Sequence, residues 1–159
     1  MSNIKLFLSW AHADHALKED LVSRLRPRLK IAKRYNFTWW EDSLLHPGEE
    51  WGKGIDSRFE EGDYIVQLVS PSFLASDFIR NHEIPGLGKT PNKKTLPLML
   101  KDVPLNGDYE FHNINGWQIF RRPDQRAYGD LRGNAQKDRF VNEFTDTIIR
   151  RVDNRGGYR

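Results

Sequence analysis

The chain has 159 residues, of which 38% are hydrophobic and 30% charged, and its formal net charge is +3 with an isoelectric point near 9.2. This composition is typical of one globular domain, and no apolar run approaches the roughly 20 residues that a membrane-spanning helix needs. Because the chain lacks cysteine, it has no disulfides, no thiolate nucleophile and no thiolate metal ligands, as expected of a cytoplasmic protein. We therefore predict a single domain over residues 1–152, followed by a flexible tail over residues 153–159.

Strand and helix patterns alternate along the whole chain. Short apolar or β-branched runs predict strands, and apolar residues at intervals of three to four predict helices. The predicted strands lie at residues 4–8, 37–40, 64–69, 95–100 and 117–120, the last being the weakest. The predicted helices lie at residues 13–33 and 51–59, from Pro71 onward, and at residues 136–152. Pro97 lies within the fourth strand and, because proline lacks a backbone N–H, it predicts a bulge or a partly unpaired position there.

This alternation predicts an α/β fold with a parallel sheet that is covered by helices on both faces. In such sheets, ligands bind in the crevice at the carboxyl ends of the strands. Those ends are marked by Ser9 and Trp10 after the first strand, by Asp42 after the second and by Ser70 after the third. We therefore expect the functional residues to lie at this edge of the sheet.

Glu83 occupies a position that stability alone does not explain. Ser70 followed by Pro71 predicts the start of a helix, since serine caps helix N-termini and proline suits the first helical position. Pro85 disfavours helical geometry at the residue before it, so Glu83 falls in the last turn. There the helix dipole makes an acid unfavourable by about 0.3–1 kcal/mol. An isolated glutamate is most often a solvated surface residue, but the converging strand ends favour a functional role for this one.

Three segments of the chain resemble the three boxes of a bacterial Toll/interleukin-1 receptor (TIR) domain. The boxes are Leu6-Phe7-Leu8-Ser9-Trp10-Ala11-His12-Ala13-Asp14, then Trp39-Trp40-Glu41-Asp42 continuing through residues 44–51, then residues 70–76 leading to Glu83. Each box is a weak signal by itself, whereas three in this order and at these separations are specific. Residues 96–100 and 115–117 resemble the fourth and fifth strands, so the resemblance spans nearly the whole chain.

The resemblance implies a flavodoxin-like three-layer sandwich with a five-stranded parallel sheet in the order 2-1-3-4-5. It also implies cleavage of NAD at the nicotinamide–ribose bond, as in many bacterial members, with Glu83 as the catalytic acid. NAD is then a substrate, and neither a cofactor nor a metal is expected. The predicted substrate-binding residues are Ser9, Trp10, Asp42, Trp51 and Phe78. The predicted self-assembly residues, which resemble the family's BB loop, are Leu45, Pro47 and Gly48.

The chemistry of NAD cleavage explains why such residues are needed. Nicotinamide leaves as a neutral group from a ribose that becomes oxocarbenium-like, so a carboxylate at Glu83 can stabilise the cation, hold the ribose hydroxyls or trap the carbon covalently. The indole faces of Trp10 and Trp51 offer flat apolar walls for the leaving ring. One departure is Ile79, because many enzymatic members carry tryptophan there, four residues before the glutamate, and Phe78 is the nearest aromatic.

Other classes of function stay open at this point. TIR-like domains in receptors and adaptors act as non-catalytic scaffolds, and Glu83 does not settle that choice. The basic runs at residues 24–34 and 150–159 could bind nucleic acid, but aromatics are not interleaved along them, since the two runs together contain only Tyr158, so nucleic acid is the less favoured partner. His12 and His15 lack further metal ligands at suitable spacing. We predict an NAD glycohydrolase that is activated by self-assembly, serves antiphage defence and responds to a sensor domain or partner outside this chain.

Overall fold

A computed structural model of the protein describes residues 2–40, 64–75, 94–111, 114, 119–122 and 126–153. The regular elements are β1 (Ser2–Ser9), α1 (His15–Lys30), β2 (Tyr35–Trp40), β3 (Tyr64–Val69), α2 (Pro71–Ala75), β4 (Lys94–Met99) and α3 (Asn134–Val152). Short 3-10 turns cover His12–Asp14 and Tyr128–Asp130. The predicted loop at residues 42–50 and the predicted helix at residues 51–59 lie outside the described residues. No helix in the described part of the chain is long and apolar enough to cross a membrane.

The strands form a parallel sheet in the order β2-β1-β3-β4. All six residues of β3 are buried, as expected of a central strand that is covered on both faces. The predicted α/β fold with a parallel sheet and helices is therefore confirmed, and β1 and β3 lie side by side at its centre.

The fifth strand that the sequence predicts is not formed by the residues that the structure describes. The described residues form four strands and not five, and Phe120 makes a single parallel bridge to Leu98 at the outer side of β4. The Phe120 N–H donates to the Pro97 carbonyl at 2.8 Å, and the Met99 N–H donates to the Phe120 carbonyl at 2.8 Å. Because Pro97 has no N–H to give in return, it cannot extend this ladder in the other direction. Residues 115–118 lie outside the described part of the chain.

One face of the sheet is covered by α1 and α3. The leucine stripe of α1 is buried, as are the aromatic and aliphatic residues of α3, which confirms both predicted apolar stripes. The buried side chains of this core include Leu21, Leu25, Leu29, Phe140, Phe144 and Ile148. Burial of each such side chain stabilises the fold by roughly 1.5–3 kcal/mol. The two helices consequently fix the position of the turn that joins β1 to α1.

A row of polar contacts sets the register between α1 and α3. Arg24 donates to the Asp138 carboxylate at 2.7 Å and to the Asn134 side-chain oxygen at 2.9 Å. Arg28, one helical turn further, lies 3.4 Å from the same Asp138 carboxylate. Two members of the basic run at residues 24–34 therefore have structural partners within the chain. A third, Arg34, forms an ion pair with Asp153 at the end of α3.

Tyr128 connects the 3-10 turn before α3 to α1. Its ring is fully buried, and its hydroxyl donates a hydrogen bond to the Asp20 carboxylate. Burial, reinforced by the neighbouring Asp20, raises the pKa of the Tyr128 hydroxyl above its ordinary value. Burial opposes ionisation of Asp20, but the hydrogen bonds from Tyr128 and Arg24 outweigh it and lower the pKa of that carboxyl.

Candidate active site at the carboxyl ends of the strands

Ser9 and Gln67 lie side by side where β1 and β3 approach their carboxyl ends. The two residues are register partners on adjacent parallel strands, so their side chains point to the same face of the sheet. Both residues are 1% exposed. Neither Ser9 Oγ nor Gln67 Oε1 has a hydrogen-bond partner among the residues that the structure describes. The sheet therefore carries two unsatisfied polar atoms at the position where α/β folds bind ligands.

The unsatisfied atoms are energetically costly. A buried polar group without a partner costs about 1–3 kcal/mol, and such groups are rare in folded proteins. Alanine and an aliphatic residue at positions 9 and 67 would remove this cost. A site that hydrogen-bonds a ligand needs polar groups, and the Ser9 hydroxyl and the Gln67 amide are such groups. Sequence reasoning singled out Ser9 but missed Gln67, whose signal was an amide within the otherwise apolar run of β3.

Trp10 follows Ser9 and is packed into the core, with 2% of its surface exposed. The Lys18 ammonium lies 4.3 Å from the centre of its ring, and the imidazoles of His12 and His15 lie 5.5 and 5.8 Å away. The indole Nε1 is buried and has no acceptor within the described part of the chain. Trp10 is thus held rigidly at the end of β1 by a cation and two imidazoles.

Lys18 is itself an unusual residue for the interior. It is 4% exposed, and its ammonium is paired with the Glu19 carboxylate as well as with the Trp10 ring. The hydrogen bond and charge of Lys18 lower the pKa of the Glu19 carboxyl. The Lys18 ammonium thus makes a cation–π contact that helps to hold the Trp10 ring beside the end of β1.

Asp14 connects the three segments that follow the carboxyl ends of β1, β3 and β4. The residue is 1% exposed, and its carboxylate accepts a hydrogen bond from the Ser70 hydroxyl. Its other oxygen lies 2.9 Å from the Lys101 ammonium. That oxygen lacks hydrogen-bond geometry, so the approach of Lys101 is a charge contact. The turn after β1, the start of α2 after β3 and the segment after β4 thereby converge on one carboxylate.

Ser70 also begins α2. Its hydroxyl accepts a hydrogen bond from the Phe73 N–H at 3.0 Å, and its carbonyl accepts one from the Leu74 N–H at 3.0 Å. Pro71 is the first residue of the helix. The predicted serine cap with proline at the first helical position is confirmed. α2 is described as far as Ala75, and the segment that follows carries Phe78 and Glu83 in sequence.

The structure describes two of the predicted site residues. Ser9 and Trp10 lie where the sequence predicts, at the end of the first strand. The other predicted site residues lie outside the described part of the chain. They are the catalytic Glu83, the substrate-binding residues Asp42, Trp51 and Phe78, and the self-assembly residues Leu45, Pro47 and Gly48. Among the described residues, no group of three or more histidine or acidic side chains is arranged to hold a metal ion.

Comparison with known proteins agrees with this architecture. A protein-family model described as a TIR domain matches residues 6–143. The uncharacterized protein y4lF of Sinorhizobium fredii is 32% identical over 80 residues, which make up 50% of this chain and 24% of that protein. The chain thus spans about a quarter of the length of the curated relative that it matches. Since the family match runs from β1 into α3 and covers most of the chain, the protein belongs to the TIR domain family.

Proposed function

We propose that this protein is an NAD glycohydrolase that releases nicotinamide and forms ADP-ribose or a cyclic isomer of it. The TIR family includes both NAD-cleaving enzymes and signalling domains, and the unpartnered polar atoms of Ser9 and Gln67 favour the enzyme. A pure scaffold gains nothing from two buried polar atoms that bind no ligand. A ribose or carboxamide of NAD has hydroxyl and amide groups that can satisfy both.

The proposed catalytic residue is Glu83, which follows α2 in sequence. Its carboxylate supplies the negative charge that the oxocarbenium-like ribose develops as the nicotinamide bond breaks. Because Ser70 fixes the first turn of α2 to Asp14, the helix leaves the sheet edge from an anchored start. This anchoring supports a role for the segment after α2 in placing a catalytic group.

The remaining substrate contacts are proposed for Ser9, Trp10, Asp42, Trp51 and Phe78. In this proposal the Ser9 hydroxyl binds the substrate directly. Trp10, whose ring is contacted by Lys18, is proposed to pack against the nicotinamide end of the substrate. Asp42 comes two residues after the end of β2 in the sequence, which supports its proposed role at the carboxyl ends of the strands.

Activity is proposed to depend on assembly of several copies through the loop that contains Leu45, Pro47 and Gly48. In this proposal a loop from one copy completes the site of the next. We further propose one domain over residues 1–152 with a flexible tail, a fifth strand completing the order 2-1-3-4-5, a cytoplasmic location and a role as an antiphage effector. A sensor domain or partner protein would then trigger the assembly.

The test follows nicotinamide release from NAD at increasing protein concentration, with and without a crowding agent. Turnover per protomer is expected to rise with concentration, and Leu45→Asp is expected to remove that rise. Glu83→Gln, which keeps the shape and removes the charge, should lower turnover by about 100-fold or more. Glu143→Gln on α3 removes an acid remote from the sheet edge and should leave turnover unchanged. Liquid chromatography of the products distinguishes ADP-ribose from a cyclic isomer.

Two outcomes would contradict the proposal. Equal turnover by the parent and Glu83→Gln would remove the catalytic assignment. Assembly of the parent protein without any NAD turnover would favour the scaffold.

A further inference from the structure

The described residues expose three large hydrophobic side chains, and these fall into two patches of opposite charge. Ile31 is 79% exposed, Tyr109 51% and Leu105 36%. Single exposed hydrophobic residues are ordinary on a protein surface, so exposure alone indicates no site. Here, however, Ile31 lies among basic residues, whereas Leu105 and Tyr109 lie among acidic ones. Interfaces combine an apolar centre with a charged rim, and complementary charge selects the partner.

The first patch comprises the end of α1 and the turn to β2, residues 30–34, which we call the basic turn. It contains three basic residues and no acid. Lys30, Ile31 and Lys33 are exposed. Arg34 is engaged in the ion pair at the end of α3. Two exposed positive charges therefore flank the exposed isoleucine.

The second patch is the loop that follows β4, residues 102–110, which we call the acidic loop. It contains three acids and no base. All of residues 104–110 are exposed. The Asn106 side-chain oxygen accepts a hydrogen bond from the Asp108 N–H at 2.8 Å, which forms a tight turn between Leu105 and Tyr109. This turn gives the two apolar residues a defined separation.

The acidic loop is anchored at both ends. Val103 is buried, and Phe111 packs against the same core cluster. The Phe111 carbonyl also accepts a hydrogen bond from the Ile114 N–H at 2.9 Å. A loop that is already ordered loses less conformational entropy when it binds. The fold therefore presents Leu105 and Tyr109 on a preorganised surface.

The two patches lie at opposite corners of the sheet. α1 begins after the carboxyl end of β1 and returns the chain to the amino end of β2, which places the basic turn at the amino ends of the strands. The acidic loop follows the carboxyl end of β4. β2 and β4 are three strand spacings apart, which is roughly 14 Å, and a strand of this length is roughly 20 Å long. One copy therefore cannot join its own two patches.

From this arrangement we infer that the basic turn of one copy docks on the acidic loop of a second copy. Ile31 packs between Leu105 and Tyr109, and the two lysines of the basic turn face the acids of the acidic loop. Because the two patches differ and lie at opposite corners, the contact is head-to-tail and repeats from copy to copy. A nucleic-acid strand matches the basic turn in charge, but its phosphates offer Ile31 no apolar partner and are repelled by the acidic loop.

This contact is distinct from the proposed one through Leu45, Pro47 and Gly48, and it does not rest on NAD cleavage. The acidic loop begins directly after Lys101, which contacts the buried Asp14 at the candidate active site. A copy that docks on the loop thus lies beside the same edge of the sheet. The inference is tested by measuring assembly and not turnover.

The experiment follows self-association of the full protein by sedimentation velocity at increasing concentration. One variant reverses the basic turn, Lys30→Glu with Lys33→Glu, and the other reverses the acidic loop, Asp102→Lys with Asp108→Lys. Each variant alone carries two patches of like charge, so its self-association should be at least about tenfold weaker than that of the parent. An equimolar mixture of the two variants restores opposite charges at every contact. The mixture should associate within about threefold of the parent.

The apolar and ionic parts of the contact are tested separately. Ile31→Ser removes the apolar group without adding charge and should weaken association by about fivefold or more. A rise in NaCl from about 0.05 to about 0.5 M should weaken association of the parent by about tenfold or more. The matched double variant Arg132→Glu with Arg139→Glu makes the same change in net charge on exposed residues elsewhere. It should stay within about twofold of the parent.

Four results would overturn the inference. The first is self-association of either charge-reversed variant at the strength of the parent, and the second is a mixture that associates as weakly as its components. The third is assembly that is lost in Leu45→Asp and unaffected by both charge reversals, which would assign assembly to the BB loop alone. The fourth is a parent protein that stays monomeric at every concentration and binds a single-stranded oligonucleotide through the basic turn.

Discussion

Asp14 and Ser70 lie 56 positions apart in the sequence, and the hydroxyl of Ser70 donates a hydrogen bond to the buried carboxylate of Asp14. The same hydroxyl accepts a hydrogen bond from the Phe73 N–H. One oxygen atom therefore caps a helix and satisfies a buried charge at once. This double use makes Ser70 more important to stability than an ordinary helix cap.

Ser70→Ala is expected to lower the free energy of unfolding by about 2.5–4 kcal/mol. The loss combines a missing cap, worth about 1 kcal/mol, with a missing hydrogen bond to a buried carboxylate, worth about 1.5–3 kcal/mol. Urea unfolding measures the change. Ser72→Ala, in the same helix and half-buried, is the control and should cost less than about 0.5 kcal/mol. Similar losses in the two variants would argue against the double role of Ser70.

Gln67→Met is expected to lower NAD turnover without lowering the free energy of unfolding. The side chain keeps its length and loses an amide whose oxygen has no partner among the described residues, so the free energy of unfolding should stay the same or rise by up to about 1 kcal/mol. If the amide binds substrate as proposed, NAD turnover should fall by about tenfold or more. Thermal unfolding and nicotinamide release test the two halves separately. A large loss of stability would mean that the amide has a structural role.

Tyr128→Phe is expected to change the response of stability to alkaline pH. The folded protein holds the pKa of Tyr128 above the ordinary 10.0, so above that pH the unfolded state releases a proton that the folded state retains. The stabilisation is complete below pH 10 and is lost as the pH rises toward the raised pKa. Tyr128→Phe should remove this part of the decline and cost about 1–3 kcal/mol at neutral pH through the lost bond to Asp20. Tyr109→Phe, at a 51% exposed tyrosine, should follow the parent in urea unfolding at pH 7 to 11.

Gly129→Ala is expected to destabilise the turn before α3. An added Cβ would lie 2.9 Å from the Leu100 carbonyl oxygen and 3.1 Å from a methyl group of Leu17. The Gly129 N–H also donates to that carbonyl at 2.8 Å, so backbone atoms must shift to relieve the overlap. We expect a loss of about 1–3 kcal/mol in urea unfolding. Gly107→Ala, where a Cβ would meet nothing within 4 Å, should be neutral to within about 0.5 kcal/mol, and equal effects would exclude the steric explanation.

Local sequence patterns predicted the described elements well. The third strand was predicted at residues 64–69 and is found there, and the helix start at Ser70 and Pro71 is confirmed. The leucine stripe predicted α1 over residues 13–33, whereas the helix covers His15–Lys30 and the turn before it is a 3-10 turn. Periodicity locates an apolar face, but it does not fix the residue at which the last turn ends.

Contacts between distant segments were beyond sequence reasoning. The pairing of Ser9 with Gln67 depends on strand register, and the convergence of Asp14, Ser70 and Lys101 depends on three separate turns. The sequence shows that residues 24–34 are rich in basic side chains, but it does not show which way each side chain points. Only the packing of α1 against α3 determines that Arg24 faces Asp138.

The pairing of the first helix with the last has a consequence for how the chain matures. Arg24 and Asp138 are separated by 114 positions, and the leucines of α1 are covered by phenylalanines that are synthesised near the end of the chain. During translation, the side of these leucines that faces α3 stays open to solvent until α3 leaves the ribosome, because no nearer helix in the described part of the chain covers it. A nascent or truncated chain therefore exposes an aggregation-prone apolar surface that is buried in the folded chain.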